Sequence, residues 1–350
     1  MKTTLTIFTV VVLGVLAGCA TGEKEPLKEV KEPLKEVKEP LKEVKEPLKE
    51  EKELLTVDFQ EAQTLRYKFV SSRDIDVDWE PGKSETKPDK SAVDRSFESM
   101  DLVVAYTPVE IDPYGLTTIK ATCESVKVER SKGRRKDAVE SLPGKTFTFT
   151  VDPTGKIEDY SQLNSLIREI GKKAFRADTS KGRVKEPDMI CDFTATQWFL
   201  WNSVSSIKKA SEGVSVGQTW KSRLSIPTPM VTLKARDVTY TLDKIRQTQK
   251  GRLAVIRSSY SLAESVPVDW PPMPYSGSFQ MSGTFGFLRG YKILGVEGQG
   301  VELFNIDTGR IEQYTQQYQT TWEASLPFGL KTEVSPRITI KQKLTMQLLK

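Results

Sequence analysis

From Leu54 onward, the chain alternates between hydrophobic and polar residues. Leu65, Tyr67 and Phe69 show the alternation first, with polar residues between them. Such alternation is typical of antiparallel strands that bury one face. The same pattern returns at Phe147, Phe149 and Val151, at Val238, Tyr240 and Leu242, at Tyr314, Tyr318 and Trp322, and at Ile338, Ile340, Leu344, Met346 and Leu348. We therefore predict a mainly β (α+β) fold.

Two stretches have helical spacing instead. They are Ser161–Ala177 and Asp192–Lys209. Their apolar residues recur every three or four positions, which places them on one side of a helix. These residues are Leu163, Leu166, Ile167 and Ile170 in the first stretch, and Phe193, Leu200, Trp201, Val204 and Ile207 in the second. We predict two helices that pack on the sheet.

A short sequence occurs twice and suggests an internal repeat. The segment Asp152–Tyr160 is echoed by Asp307–Tyr314, with a shared Ile-Glu-x-Tyr ending. In each copy the aspartate starts a tight turn, and Gly155 or Gly309 supplies the positive φ. We predict two related antiparallel β lobes, 54–212 with the helical region and 213–350. Each lobe could close into a half-barrel. The alternative to a repeat is that the two segments are similar by chance, because Asp-x-Gly turns are common.

The first 19 residues have the features of an export signal. Lys2 precedes an apolar run, Leu5–Leu16, of about 12 residues, which is too short to span a membrane. The run ends in Leu-Ala-Gly-Cys, and this resembles the lipobox of bacterial lipoproteins. The resemblance implies a signal peptide over 1–18, cleavage between Gly18 and Cys19, and lipidation of Cys19. A general secretory leader with an incidental cysteine is the alternative.

The lipoprotein resemblance also implies a location. Two or more acyl chains on Cys19 would anchor the protein stably in a membrane. The next residue is Ala20 and not the aspartate that favours inner-membrane retention in enterobacterial lipoproteins. We therefore expect a lipid anchor in the cell envelope, on the outer membrane facing the periplasm if the source has one.

Residues 19–53 are built from a seven-residue repeat. Its copies are Lys24–Val30, Lys31–Val37, Lys38–Val44 and Lys45–Glu51. The proline in each copy argues against a coiled coil, because it removes a backbone donor and clashes with the preceding turn. We predict a disordered, extended tether that lifts the folded part off the membrane. The alternative is that the repeats arose by expansion of the sequence and that their number has no function.

Composition narrows the possible chemistry. Histidine is absent, so the commonest general base and metal-binding ring is missing. The net charge is only +5 over 350 residues, far from the basic stripe of a nucleic-acid binder. Besides Cys19, the chain has Cys123 and Cys191, which exported conditions allow to pair. We predict no cofactor, no metal and no nucleic-acid partner.

Two motifs that suggest chemistry are incomplete. Gly213–Gly217 matches the nucleophile elbow around Ser215, but the elbow needs a helix after it and a histidine partner. Asp74, Asp76 and Asp78 alternate as in a calcium loop, but the position that needs glycine is Trp79. We assign no catalytic residue and interpret the aspartates as an acidic strand face.

The folded part is similar to uncharacterised bacterial lipoproteins that have an Asp-x-x-Gly turn and a Gly-x-x-Trp segment. Here the latter is Gly217–Trp220. The resemblance implies no particular activity. We expect a non-catalytic binding or scaffold lipoprotein with a cell-wall or envelope-protein partner. A carrier of a hydrophobic ligand in a β half-barrel and a histidine-free glycan hydrolase with paired carboxylates are the alternatives.

Overall fold

The computed structural model describes residues 52–81, 93–132, 136–173, 175–178, 182–185, 188–267, 270, 279–281, 283–326 and 335–350. The predicted signal peptide, Cys19 and the tether as far as residue 51 lie outside them.

Long strands dominate the chain. The strands are β1 (Leu65–Asp78), β2 (Val93–Ile111), β3 (Thr117–Arg130), β4 (Thr146–Val151), β5 (Ile157–Asp159), β6 (Phe175–Asp178), β7 (Gly182–Lys185), β8 (Thr219–Ser225), β9 (Ala235–Thr248), β10 (Gly251–Leu262), β11 (Phe279–Met281), β12 (Arg289–Asn305), β13 (Arg310–Ser325) and β14 (Arg337–Leu349). The helices are α1 (Ser161–Lys173), α2 (Ile190–Phe199), α3 (Asn202–Ser205) and α4 (Gly283–Phe287). The prediction of a mainly β fold with packed helices is confirmed.

Eleven of the strands form one open antiparallel sheet, in the order β5-β4-β3-β2-β1-β14-β13-β12-β10-β9-β8. Strands β6, β7 and β11 form a second, small sheet. The first lobe contributes the meander β1 to β5, and the second contributes β8 to β10 and β12 to β14. The two meanders join where β1 pairs with β14, from Arg66 opposite Leu349 to Asp78 opposite Arg337. The predicted lobes are therefore two parts of one sheet.

One face of the sheet, which we call the inner face, is covered by α1, α2 and α3. Tyr106 of β2 and Phe149 of β4 pack edge-on or tilted against Trp201, with ring centroids 6.2 Å apart. Phe147 meets Phe193 of α2 in the same way. Side chains from both meanders belong to this one hydrophobic core. The other face, the outer face, presents the alternate polar residues to solvent.

The second predicted helix is not continuous. It breaks after Phe199, because Leu200 is extended and Trp201 has a left-handed backbone with φ of +66°. The break turns the Trp201 ring into the core, where it is 1% exposed. Burial of this large ring offsets the strain of a positive φ at a bulky residue. The continuous helix over Asp192–Lys209 was thus wrong, and α2 and α3 replace it.

A segment ahead of β1 ties the two parts of the sheet together. We call residues 53–59 the strap. Leu55 and Val57 of the strap are buried, and Phe59 packs edge-on against Trp201. The Glu53 carboxylate accepts from Arg252 at 2.9 Å, and Glu53 also pairs with Val214 through the backbone. The strap is therefore itself part of the core.

Candidate functional site

The two repeated turns differ in what their aspartates do. The Asp152 carboxylate accepts from the backbone N–H groups of Thr154 and Lys156, at 2.8 and 3.0 Å, and closes its own turn. Gly155 follows with φ of +91°. A Cβ at Gly155 would lie 2.8 Å from Val57 of the strap.

In the second turn Asn305 accepts from the turn backbone, whereas Asp307 reaches the neighbouring β9–β10 hairpin. Its carboxylate accepts from the backbone N–H and the Nε of Arg252, both at 2.8 Å. These hydrogen bonds hold the pKa of Asp307 below its usual range. Gly309 has φ of +61°, and its carbonyl accepts from the N–H of Asp58. Both repeated turns thus contact the strap, through different atoms.

The remaining sequence motifs are structural. Ser215 precedes strand β8 and not a helix, and its N–H donates to Gln218. Asp76 pairs with exposed Arg95 at 3.6 Å on the outer face of β1. Among the described residues, no group of acidic or cysteine side chains is arranged to hold a metal ion.

The two cysteines in the folded part form no disulfide with each other. Cys123 is buried on β3, and burial raises the pKa of its thiol to about 12. A thiol that stays protonated is a poor nucleophile. Cys123 therefore behaves as a small apolar residue of the core.

The outer face carries a row of polar side chains that runs across the strands. Each residue is the direct cross-strand partner of the next, so the row crosses six neighbouring strands at about 4.8 Å per strand. We call it the outer row, and from β1 to β9 it consists of Ser72, Lys343, Gln317, Gln299, Ser259 and Thr239. All six are exposed or half-buried. The row extends over roughly 24 Å and offers hydroxyl and amide groups along its whole length.

The outer row lies in a shallow groove on this face. The groove has two adjoining parts of about 470 and 640 Å³. The parts share Gly298, Gln299, Gln317 and Lys343, so they are continuous. Thr241, Arg257, Val301 and Thr315 line one part, and Asp74, Glu297, Gln319 and Lys341 line the other. Apart from Val301 and the two glycines, every residue of the groove lining has a side chain with a hydrogen-bonding or charged group.

The acidic residues of the groove do not form a close pair. Asp74 on β1 and Glu297 on β12 belong to one cross-strand line, with Lys341 and Gln319 between them. Three strand spacings separate their backbones by roughly 14 Å. Paired carboxylates of glycoside hydrolases lie about 5–10 Å apart. The groove therefore has binding groups, but not the carboxylate pair that the hydrolase alternative needs.

The inner face holds a buried ion network instead. Arg73 of β1 is 0% exposed and donates to Asp192 of α2 at 2.8 Å and to Glu98 at 2.7 Å. Arg130 continues the network from Glu98 to Asp137. Burial and nearby Asp188 raise the pKa of Asp137 to about 6. The network fixes α2 on the sheet and is buried away from the groove.

Glu302 of β12 is the other buried acid, at 1% exposure. Its carboxyl group is hydrogen-bonded to the Ser203 hydroxyl of α3. Burial raises the pKa of Glu302 to about 7. The folded protein therefore holds this proton more tightly than the unfolded chain, and the resulting stability is lost as pH rises through about 7.

Glu302→Gln should remove most of this pH dependence. Between pH 6 and pH 8 the wild type should lose about 1–2 kcal/mol of unfolding free energy. The variant should lose only about 0.5 kcal/mol, since Asp137 still titrates near pH 6. Urea unfolding at both pH values measures the difference. Equal losses in the two chains would show that Glu302 is not the titrating group.

Comparisons with known proteins add little to this geometry. No protein-family profile matches the chain, and no curated protein matches it. A solved structure of lipovitellin, reported for its lipid–protein interactions, aligns with a TM-score of 0.37 and 11% sequence identity. The alignment covers 84% of this chain and 26% of that chain, so this chain spans about a quarter of its length. A likeness this weak bears on neither fold nor ligand.

Proposed function

We propose that this protein is a lipid-anchored lipoprotein of the cell envelope that binds a hydroxyl-rich polymer, such as the glycan of the cell wall, along the outer row. The observation that carries the proposal is the continuous groove over six strands, lined mainly by hydroxyl, amide and lysine groups. Such groups donate and accept hydrogen bonds, as sugar hydroxyls do. The strand spacing is close to the length of one sugar unit, so successive units meet successive strands.

The anchor is a separate part of the proposal and rests on the sequence of the leader. No helix among the described residues is long and apolar enough to cross a membrane. In the proposal, acyl chains on Cys19 attach the chain to lipid, and the proline-containing repeats separate the sheet from the membrane. The strap then connects the tether to the core.

Cys19→Ala should move the protein from the membrane fraction to the soluble fraction, because one residue carries the acyl chains. Fractionation of cells that express either form measures this. Persistent membrane association of the variant would place the anchor elsewhere in the chain. The same variant supplies a soluble full-length protein for binding experiments.

Binding along the outer row is tested by co-sedimentation with purified cell-wall sacculi. Gln299→Ala combined with Gln317→Ala should weaken binding by about 10-fold or more, since two hydrogen-bonding side chains are lost. Gln313→Ala is the matched control, because Gln313 is exposed on β13 but lies outside the groove lining. Equal binding by the double variant and the control would contradict the proposal.

The carrier alternative needs apolar space on the inner face. Where α1, α2 and α3 cover that face, buried side chains from helices and sheet occupy it, Leu163, Ile167, Phe193 and Trp201 among them. The groove on the outer face is lined mainly by hydroxyl, amide and charged side chains, with which an acyl chain forms no hydrogen bonds. The polymer-binding function is therefore the better supported one.

A further inference from the structure

Two arginines are completely buried on the inner face, and their surroundings differ in one respect. Arg73 contacts two carboxylates, those of Asp192 and Glu98. Arg236 of β9 is also 0% exposed, yet no carboxylate lies within ion-pair distance of it in the part of the chain that the structure describes. Buried charges in proteins are normally paired, because desolvation of a lone charge is costly. Among the described residues, Arg236 therefore lacks the neighbouring negative charge that Arg73 has.

The groups around Arg236 are neutral. Its guanidinium donates to the Ser225 carbonyl at 3.1 Å and to the Gln316 side-chain oxygen at 2.7 Å. Three aromatic rings surround it, with centroids 4.4–5.1 Å from the guanidinium carbon. They belong to Phe199, Tyr260 and Tyr318. Cation–π contacts offset part of the charge but accept no hydrogen bond along the guanidinium edge.

The backbone of β12 makes room for this group. A Cβ at Gly298 would lie 2.4 Å from the Cβ of Tyr318, and a Cβ at Gly300 would lie 2.4 Å from the Tyr260 hydroxyl. The two glycines therefore leave room beside β12 for the side chains of Tyr318 and Tyr260, whose rings meet edge-on. Arg236 extends from β9 above them and reaches Gln316 on β13. Residues of four strands, β9, β10, β12 and β13, meet at this point of the inner face.

Three polar groups at this point have no hydrogen-bond partner among the described residues. They are the Nε of Arg236, the side-chain nitrogen of Gln316 and the hydroxyl of Tyr318. Arg236 contacts both of the other residues directly. All three groups can donate, and the two nitrogens can only donate. Buried donors normally have an acceptor, which the protein, an ordered water or a ligand supplies.

We propose that these three groups bind the carboxylate of a small organic acid. A carboxylate oxygen accepts from Arg236 Nε and from the Gln316 amide, and the second oxygen accepts from Tyr318. The ligand's negative charge takes the place that Asp192 and Glu98 have beside Arg73. This site is separate from the outer row, because it lies on the opposite face of the sheet.

Access to the site passes the end of α2. Phe199, the last residue of α2, forms one wall of the cage, and the helix breaks directly after it at Leu200 and Trp201. A helix end is easier to displace than a helix centre, since its last carbonyls have no helical partner. Binding is therefore expected to be slow and to require displacement of Phe199.

Titration with acetate tests the proposal, with dodecanoate as the comparison. The soluble Cys19→Ala chain is incubated with either acid at constant ionic strength, and binding is followed by calorimetry and by the melting temperature. Saturable binding of acetate supports a site for a small acid. Binding of dodecanoate at least about 10-fold tighter than acetate would contradict a site limited to small acids, because the longer chain gains affinity only where apolar space receives it.

Two variants connect the binding to this site. Arg236→Met should abolish it, and Tyr318→Phe should weaken it about 3- to 10-fold, the effect of one hydrogen bond. Tyr291→Phe is the control, since the hydroxyl of Tyr291 donates to Phe285 elsewhere in the structure. Tyr318→Phe removes only one oxygen from the core and should fold. If Arg236→Met fails to fold, the comparison of Tyr318→Phe with Tyr291→Phe still tests the proposal.

Absence of saturable binding by the soluble chain would overturn the proposal. So would equal binding by the Tyr318→Phe and Tyr291→Phe chains. An experimental structure with a water molecule on the three donors in the presence of acetate would also overturn it.

Discussion

Asp192→Ala is expected to lower the free energy of unfolding by about 3–5 kcal/mol. The carboxylate of Asp192 is buried and accepts from Arg73 at 2.8 Å, Ser71 at 2.9 Å and Gln342 at 2.7 Å. Alanine leaves these donors without that acceptor and removes the charge that fixes α2 to β1. Chemical denaturation at pH 7 measures the change.

The matched control is Asp237→Ala. Asp237 also pairs with an arginine, Arg223 at 2.7 Å, but both side chains are 38% exposed. Solvent screens that pair, so its loss should cost at most about 1 kcal/mol. Similar losses for the two variants would show that the Arg73 network does not hold α2 in place.

Gly309→Ala is expected to cost about 2–4 kcal/mol, through two effects that add. Gly309 has a positive φ, which alanine adopts only with strain. In addition, the new Cβ would lie 2.3 Å from the backbone nitrogen of Asp58. The strap would have to move, and its buried residues Leu55 and Val57 would lose part of their packing.

Gly144→Ala separates the two effects. Gly144 has φ of +80°, but no atom lies within 4 Å of the position that its Cβ would take. Its substitution should therefore cost only about 1 kcal/mol, the strain of the backbone alone. Thermal or urea unfolding of both variants gives the comparison. Equal costs would mean that the strap yields without loss of stability.

The strands could be predicted from the sequence because burial on one face leaves a period of two. Tyr67 and Phe69 are 0% exposed, and so is Val238, as the alternation requires. Strand order could not be predicted in the same way. Nothing local in the chain specifies that the first strand pairs with the last, which merges the two lobes into one sheet.

The break after α2 was not predictable, since Leu200 and Trp201 continue the helical spacing of apolar residues. Tertiary packing of the Trp201 ring decides the backbone there. The strap was missed for a related reason. Leu55, Val57 and Phe59 alternate as in a strand. Among the described residues, however, the strap has one isolated β-bridge, between Glu53 and Val214, and one further backbone hydrogen bond, from Asp58 to Gly309.

The outer row is visible in the sequence only as the polar half of each alternating strand. Ser72, Lys343 and Gln317 are ordinary surface residues when each is taken alone. They form a row because the registers of five strand pairs align them, and register depends on long-range pairing. The turn at Asp152 can be recognised from a few neighbouring residues, whereas the outer row is formed by residues that are far apart in the sequence. The candidate site therefore required the structure.

The central claim is that ligand binds across the outer row. Titration of isotope-labelled Cys19→Ala chain with soluble cell-wall glycan, followed by the side-chain amide resonances of the glutamines, tests it most directly. We expect the resonances of Gln299 and Gln317 to shift, while those of Gln313 and Gln347, exposed on the same face outside the groove lining, stay in place. Shifts confined to the buried Gln316, or no shift at saturating glycan, would contradict the claim.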